Sequence, residues 1–316
     1  MPASGDVLFL DTAHPLLSAE LEGLGYNCIH DPEITRDKLL DLMPRLTGII
    51  VRSKFFLGKE ELRYADKLHF IGRVGSGLEN IDVKYAQRRG IVCLNSPEGN
   101  CDAVGEHATG MLLSLVNCIC KAHNEVCNAS WKREENRGTE LRGKTMAIIG
   151  YGHTGSAFAR CLAGFGMKVL AYDKYKKGYG SRWVGESNME EIFCSADFLS
   201  LHVPLTDETR YLADFDYFNR FKKEIFLINT SRGPVLNTAD LCRALRSGKV
   251  RGAALDVLEY EHLSFEDLDL WDLPEPFRFL AGHPRVVLTP HVAGWTHESH
   301  LKLSGVLADK IRKLID

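Results

Sequence analysis

Three side chains in this 316-residue sequence are of the types that interconverting a carbonyl and an alcohol requires. Arg232 lies in N-T-S-R-G-P, Glu261 comes five residues after Asp256 of A-A-L-D-V, and His291 lies in T-P-H-V-A-G-W-T. Reduction of a 2-oxo acid needs a cation for the carboxylate and carbonyl and a proton donor that titrates near neutrality. It also needs a carboxylate to hold that donor protonated and oriented. Arg, His and Glu make up that set. Taken singly, each has a plainer reading: Arg232 in a surface ion pair, His291 as a hydrogen-bonded structural histidine, and Glu259 of E-Y-E-H as the orienting acid in place of Glu261.

A carrier for the hydride is written elsewhere in the chain. Thr145 to Ile149 is a short apolar run fit for a buried strand, and Gly150, Gly152 and Gly155 follow it in G-x-G-x-x-G spacing. Ser156 to Ala163 then has helical periodicity. The first glycine makes the tight turn, the second lets a pyrophosphate approach the backbone, and the third lets helix and strand pack closely. The pyrophosphate would sit on the free N–H groups of a turn that includes His153 and Thr154. A second strand, Lys168 to Tyr172, ends in Asp173, where a carboxylate can bind a ribose hydroxyl. That carboxylate repels a 2′-phosphate, so the expected cofactor is NAD rather than NADP. Lys174, Lys176 and Lys177 are read as a solvated charge run rather than a phosphate site.

These residues fall after strands of a chain that alternates strand and helix throughout, the pattern of open parallel sheets that bind ligands beyond their strand ends. The expected first unit runs through strands near Val7, Asn27, Gly48, His69 and Ile91, followed by a linker at Ser96 to Asn100. Ala103 to Cys127 reads as one long helix, apolar on nearly all sides and therefore buried. Gly105 and Gly110 within it suggest close packing, since glycine weakens a helix interior. The length allows two domains. A net charge of −3 gives no electrostatic reason to expect nucleic acid or an anionic membrane as partner. No apolar run approaches the length of a membrane span. The N-terminus lacks a basic region before its apolar run and does not read as a secretory signal. The nine cysteines show no metal or redox spacing, and reduced thiols in the cytoplasm are the expectation.

The whole chain resembles the D-isomer-specific 2-hydroxyacid dehydrogenase family, and within it the phosphoglycerate dehydrogenases. The resemblance is carried by V-G-S-G-L-E-N-I-D (74–82), A-V-G-E-H-A (103–108), G-Y-G-H-T-G (150–155), H-V-P-L-T-D-E-T-R (202–210), N-T-S-R-G-P-V (229–235), G-A-A-L-D-V (252–257) and T-P-H-V-A-G-W-T (289–296). It implies that His291 exchanges a proton with the substrate C2 oxygen, that Glu261 pairs with His291, and that Arg232 binds the α-carboxylate. Backbone N–H groups of Ser76 and Gly77 would help hold that carboxylate. Asp256 would bind the nicotinamide carboxamide, His202, Val203 and Pro204 would line the adenosine side, and Thr230 and Ser231 would also contact the cofactor. A phosphorylated substrate needs cations, for which Arg52 and Lys54 are the candidates and Arg73 a further one.

The resemblance further implies an α/β architecture of two Rossmann-like or flavodoxin-like, doubly wound parallel-sheet domains with a cleft between them. Residues 1–99 with 292–316 would form a discontinuous substrate domain, and 100–291 the NAD domain. The long helix would pack at a homodimer interface, and a C-terminal regulatory domain is not expected. The implied reaction is NAD-dependent oxidation of 3-phospho-D-glycerate to 3-phosphooxypyruvate, the entry to serine synthesis. Reduction of glyoxylate, hydroxypyruvate or another small 2-oxo acid is the alternative, and a nucleotide-sensing, corepressor-like protein a third reading. Two departures stand out: His262 where the family places Pro after the acid, and Trp295 where smaller residues are usual. The acidic segment 263–283 is read as either a cover or a surface loop.

Overall fold

Twelve strands among the described residues set the architecture, the central ones buried. In the computed structural model, which describes residues 4–261 and 273–315, they form two wholly parallel sheets. The first comprises β1 (Gly5–Phe9), β2 (Tyr26–His30), β3 (Leu46–Val51), β4 (Phe70–Arg73) and β5 (Val92–Leu94), in the order β2-β1-β3-β4-β5. The second comprises β6 (Thr145–Ile149), β7 (Lys168–Tyr172), β8 (Gly185–Glu186), β9 (Phe198–Leu201), β10 (Ile225–Asn229), β11 (Val250–Leu255) and β12 (Val286–Leu288). Its order is β12-β11-β10-β9-β6-β7-β8. Both orders are doubly wound, as parallel strands joined by right-handed helical crossovers require.

Residues 4–100 with 295–315 form one compact unit, and 101–261 with 273–294 another. The first is discontinuous because the last helix, His297–Ile315, returns to the five-stranded sheet. Its Leu303, Leu307 and Ile311, at helical spacing, join Val7, Phe9 and Phe70 in one core. Each such side chain contributes about 1.5–3 kcal/mol by leaving water. The stretch expected to be a linker is packed rather than loose: Ser96 is fully buried, and a Cβ on Gly99 would come within 2.6 Å of the Leu303 backbone.

The expected long helix is two. Cys101–Val116 and Ile119–Cys127 meet at a 60° bend, with Cys118 at φ 55°. The first ends because its terminal carbonyls find other donors: Thr139 N–H on Val116 O, and the Asn117 side chain on Leu113 O. Only the first is buried, and the second has no buried residue at all. Gly105 does sit against the helix His153–Cys161, but Gly110 faces open space, so its expected close partner is absent among the described residues. A helix at Glu275–Gly282, opened by Pro276 at its second position, was not anticipated. The rest of the acidic segment, 263–272, lies outside the described residues. No single helix among the described residues is long and apolar enough to cross a membrane.

Candidate active site

The seven-stranded sheet brings the expected residues to one edge. Its strands are parallel, so their C-terminal ends line up: Thr289 to His291 follow β12, Asp256 follows β11, and Thr230 to Arg232 follow β10. His202 follows β9, the glycine turn follows β6, and Asp173 follows β7. The winding direction reverses between β6 and β9, the point at which such sheets leave a crevice for a ligand.

The glycines have separate jobs. Gly150 has φ 92°, and a Cβ there would run into the His202 carbonyl oxygen. A Cβ on Gly155 would strike the Gly150 carbonyl, whereas Gly152 has nothing within 4 Å. The helix His153–Cys161 begins at Gly152 with no side-chain cap, so its first N–H groups stay available beside open space. Among the described residues, the buried Thr230 Oγ1 has no hydrogen-bond partner. An uncapped helix end, a glycine-rich turn and an orphaned hydroxyl at the same sheet edge fit a dinucleotide.

Asp173 accepts N–H bonds from Tyr151 (2.8 Å), Tyr175 (2.9 Å) and Lys176 (2.9 Å). Burial alone would raise its carboxyl pKa, but these three donors and the Lys176 ammonium outweigh it and leave the pKa lowered. Asp173 therefore stays negative at neutral pH, and Glu208 holds Lys174 and the Tyr175 hydroxyl, which follow Asp173 in the chain. That spends Lys174 on a carboxylate rather than on a phosphate.

His202 does not present its ring to the surface. The imidazole is buried, with Nε2 2.8 Å from Ser200 Oγ and the ring against Phe158 (centroids 5.4 Å apart). It underlies the glycine turn through its carbonyl, and Val203 and Pro204 are the more exposed members of the segment. Burial pushes the His202 pKa down to about 3. An unfolded chain therefore takes up a proton here near pH 6.5 while the fold resists, so stability falls as pH drops below about 6.5 towards 3. Between pH 6.5 and 5 the expected loss is about 2 kcal/mol, read as a lower urea midpoint. His202→Asn should flatten that slope, and an unchanged slope would contradict the assignment.

His291 and Glu261 meet: Nδ1 lies 2.7 Å from Oε2, with both side chains about a quarter exposed. The rival acid, Glu259, is turned away and accepts from Thr238 N–H (2.6 Å) and the Tyr211 hydroxyl. His291 has φ 54°, a left-handed conformation that costs a non-glycine residue about 1–2 kcal/mol. Asp256, 1% exposed, holds it there. Its Oδ1 accepts from Thr289 Oγ1 (2.6 Å) and Val292 N–H (2.9 Å), and its Oδ2 from Ala293 N–H (2.9 Å). The His291 N–H donates to the Asp256 backbone carbonyl (2.8 Å). His107, from the helix Cys101–Val116, backs the arrangement, with Nε2 3.1 Å from Thr289 Oγ1. Asp256 is thus visibly the anchor of the His291 loop.

Arg232 is set by a turn that Asn229 organises. Asn229 Oδ1 accepts from Ser231 N–H (3.1 Å) and Oγ (2.7 Å), and its Nδ2 donates to Arg232 O (3.1 Å). Gly233 is obligatory next, because a Cβ there would occupy the Leu258 carbonyl. Asn229, Thr289 and His107 each lay inside a recognised motif, but nothing in a linear sequence says which way a buried polar group faces.

In the five-stranded unit, Arg52 follows β3 and Ser76 follows β4. Asp11 Oδ2 accepts the backbone N–H of Arg52 (2.6 Å), Ser53 (3.0 Å) and Lys54 (3.3 Å). The Lys54 ammonium is drawn to the Pro32 carbonyl, and Arg73 Nε to the Arg52 carbonyl (3.2 Å). The Ser76 hydroxyl donates to Asn100 (2.7 Å) and its carbonyl accepts from Asn95 (2.6 Å). Among the described residues, the N–H groups of Ser76 and Gly77 have no acceptor, as an oxyanion binder requires.

A parallel sheet with a glycine-rich turn at its switch point and a carboxylate–histidine pair at the same edge defines a nucleotide-dependent dehydrogenase. The chain belongs to the D-isomer-specific 2-hydroxyacid dehydrogenase family, whose NAD-binding domain model matches residues 109–293. It is 34% identical over 280 residues to a D-3-phosphoglycerate dehydrogenase of Archaeoglobus fulgidus, covering 88% of this chain and 51% of that one. To the Homo sapiens D-3-phosphoglycerate dehydrogenase it is 32% identical, covering 96% and 55%. The chain thus spans about half the length of these curated relatives. A solved D-lactate dehydrogenase of Aquifex aeolicus, in complex with NAD and lactic acid, superposes with a TM-score of 0.83 at 26% identity, covering 98% and 95%.

Proposed function

We propose that the chain catalyses NAD-dependent oxidation of 3-phospho-D-glycerate to 3-phosphooxypyruvate, the reaction that opens serine synthesis. The 2.7 Å bond between His291 and Glu261 carries the reading. Bound NAD supplies the hydride acceptor at nicotinamide C4. His291 accepts the C2 hydroxyl proton on Nε2, because Nδ1 faces Glu261. Glu261 offsets the positive charge that the ring then gains. Arg232 binds the α-carboxylate and draws electron density from the forming carbonyl. Thr230, Ser231 and Asp256, at neighbouring strand ends, contact the nicotinamide side, and Asp173 the ribose. Asp173 and Glu208 together favour NAD over a 2′-phosphorylated cofactor.

For the five-stranded unit we propose substrate contacts from the free N–H groups of Ser76 and Gly77, with Arg52 as the cation for the phosphate. We further propose a homodimer, for which the exposed Ile119, Val126 and Trp131 offer apolar surface, and a reducing compartment, which nine free thiols suit. Arg52→Gln should raise KM for 3-phospho-D-glycerate about 10- to 100-fold, the loss of about 1.5–3 kcal/mol for a bond to a charged group. KM for glyoxylate or hydroxypyruvate should stay near its starting value. Equal losses on both substrates would favour the second reading, reduction of small unphosphorylated 2-oxo acids, which the likeness to a D-lactate dehydrogenase supports.

A further inference from the structure

We propose that the five-stranded unit carries a proton-sensitive site for a tetrahedral dianion, a phosphoryl group, built by Arg52, His14 and His300 against the Trp295 ring. The guanidinium of Arg52 lies 4.1 Å from the Trp295 ring centroid, at cation–π distance. His300 lies one turn further along the chain from Trp295, with ring centroids 6.0 Å apart, and meets His14 edge-on at 5.5 Å. Arg52 and His300 therefore meet one exposed tryptophan, and His14 joins them through His300, so that three side chains able to carry positive charge gather from three separate parts of the chain.

No carboxylate pairs with them directly. Among the described residues, none of Arg52, His14 or His300 forms an ion pair. Asp11, the carboxylate nearest in effect, has one oxygen committed to three backbone N–H groups. Burial lowers the Arg52 pKa, partly opposed by Asp11, and no side-chain carboxylate contacts the guanidinium to restore it. His300 is lowered by burial first, then by His14 and Arg52. On its own helix, His297, Glu298 and Lys302 add charge along the flank. His14 Nδ1 accepts from Leu16 N–H (3.2 Å), so the neutral ring carries its proton on Nε2 and can donate from there. Half-buried cations that repel one another, with Asp11 alone acting on Arg52 and already committed to backbone N–H groups, gain by taking an anion from outside. One guanidinium and one imidazolium neutralise a dianion, and a monoanion needs only the guanidinium. The second positive charge thus selects a phosphoryl group over a carboxylate, and it is present only when a histidine is protonated.

The inference rests on the proposed function only in taking the phosphoryl group to be the distal end of the substrate, since binding of a free dianion requires no turnover. Sulfate is the probe, because it stays dianionic across the histidine range and any pH dependence then belongs to the protein. Proton NMR of the histidine ring C–H signals, with and without sulfate, would be followed in wild type, His14→Asn, His300→Gln and Arg52→Gln. Asn keeps the acceptor that caps the helix after residue 14. Sulfate should raise the His300 midpoint by about one pH unit and so bind about three- to fivefold more tightly near pH 6 than near pH 8. Arg52→Gln should weaken binding at both pH values, and His300→Gln should abolish the pH dependence while leaving weak binding. 3-Phospho-D-glycerate and inorganic phosphate should displace sulfate, and D-glycerate should not. A midpoint unmoved by sulfate, undiminished binding in Arg52→Gln, or equal displacement by D-glycerate would each overturn the proposal. Sulfate binding as expected, with no phosphoglycerate turnover, would instead count against the dehydrogenase reading alone.

Discussion

His291→Ala should lower kcat by about 10²- to 10⁴-fold, the usual worth of a positioned general acid or base, and should leave the NAD dissociation constant almost unchanged. The asymmetry follows from where the residue sits. His291 follows β12 at one end of the sheet, and the glycine turn follows β6, with β11, β10 and β9 between them. Removing the imidazole would take away the proposed proton acceptor without touching the glycine turn. Glu261→Gln should be milder, because an amide still bonds Nδ1 but no longer offsets the charge the ring gains. Its deficit should appear in kcat and in the pH–rate profile more than in KM. Comparable losses in kcat and NAD affinity from His291→Ala would mean that the substitution disturbs the fold, and titrating NAD by fluorescence quenching separates the two.

The second large effect is expected at Asp256. One buried carboxylate accepts the Thr289 hydroxyl and the N–H groups of Val292 and Ala293, on either side of a histidine held at φ 54°. Asp256→Ala strands those donors, at a cost of about 1–3 kcal/mol for each that water does not reach. The loop then relaxes from its left-handed turn, and His291 leaves Glu261. Stability by urea denaturation should fall by about 2–4 kcal/mol, and kcat should fall by much of what His291→Ala costs. Asp256→Asn keeps one acceptor but aims an amide donor at another donor, so it should rescue stability in part and kcat less. Because both residues act through one geometry, the His291 and Asp256 substitutions should be strongly non-additive. Full activity in Asp256→Ala would show that the loop holds its shape without the carboxylate.

The features legible in the sequence were those that short-range chemistry dictates. Thr145–Ile149, Lys168–Tyr172, Ile225–Asn229 and Val286–Leu288 are strands over the residues expected, because a parallel strand covered on both faces must be a short, continuous apolar run. The glycine turn was legible because only glycine fits beside the His202 and Gly150 carbonyls. What escaped depends on partners far away in sequence. The helix ends at Val116 because Thr139, 23 residues on, supplies a donor to its last carbonyl. His202 turns inward because Phe158 and Ser200 make room for it. Arg52 was legible as a cation, but its place over Trp295, 243 positions later, required the final helix to fold back on the first sheet.

Initial-rate NADH formation from NAD and 3-phospho-D-glycerate, for wild type beside His291→Ala, tests the central claim most directly. Wild type should show sustained turnover, faster than with D-glycerate or D-lactate and nearly abolished in the variant. Binding of NAD without turnover of any 2-hydroxy acid, or turnover indifferent to His291, would contradict it.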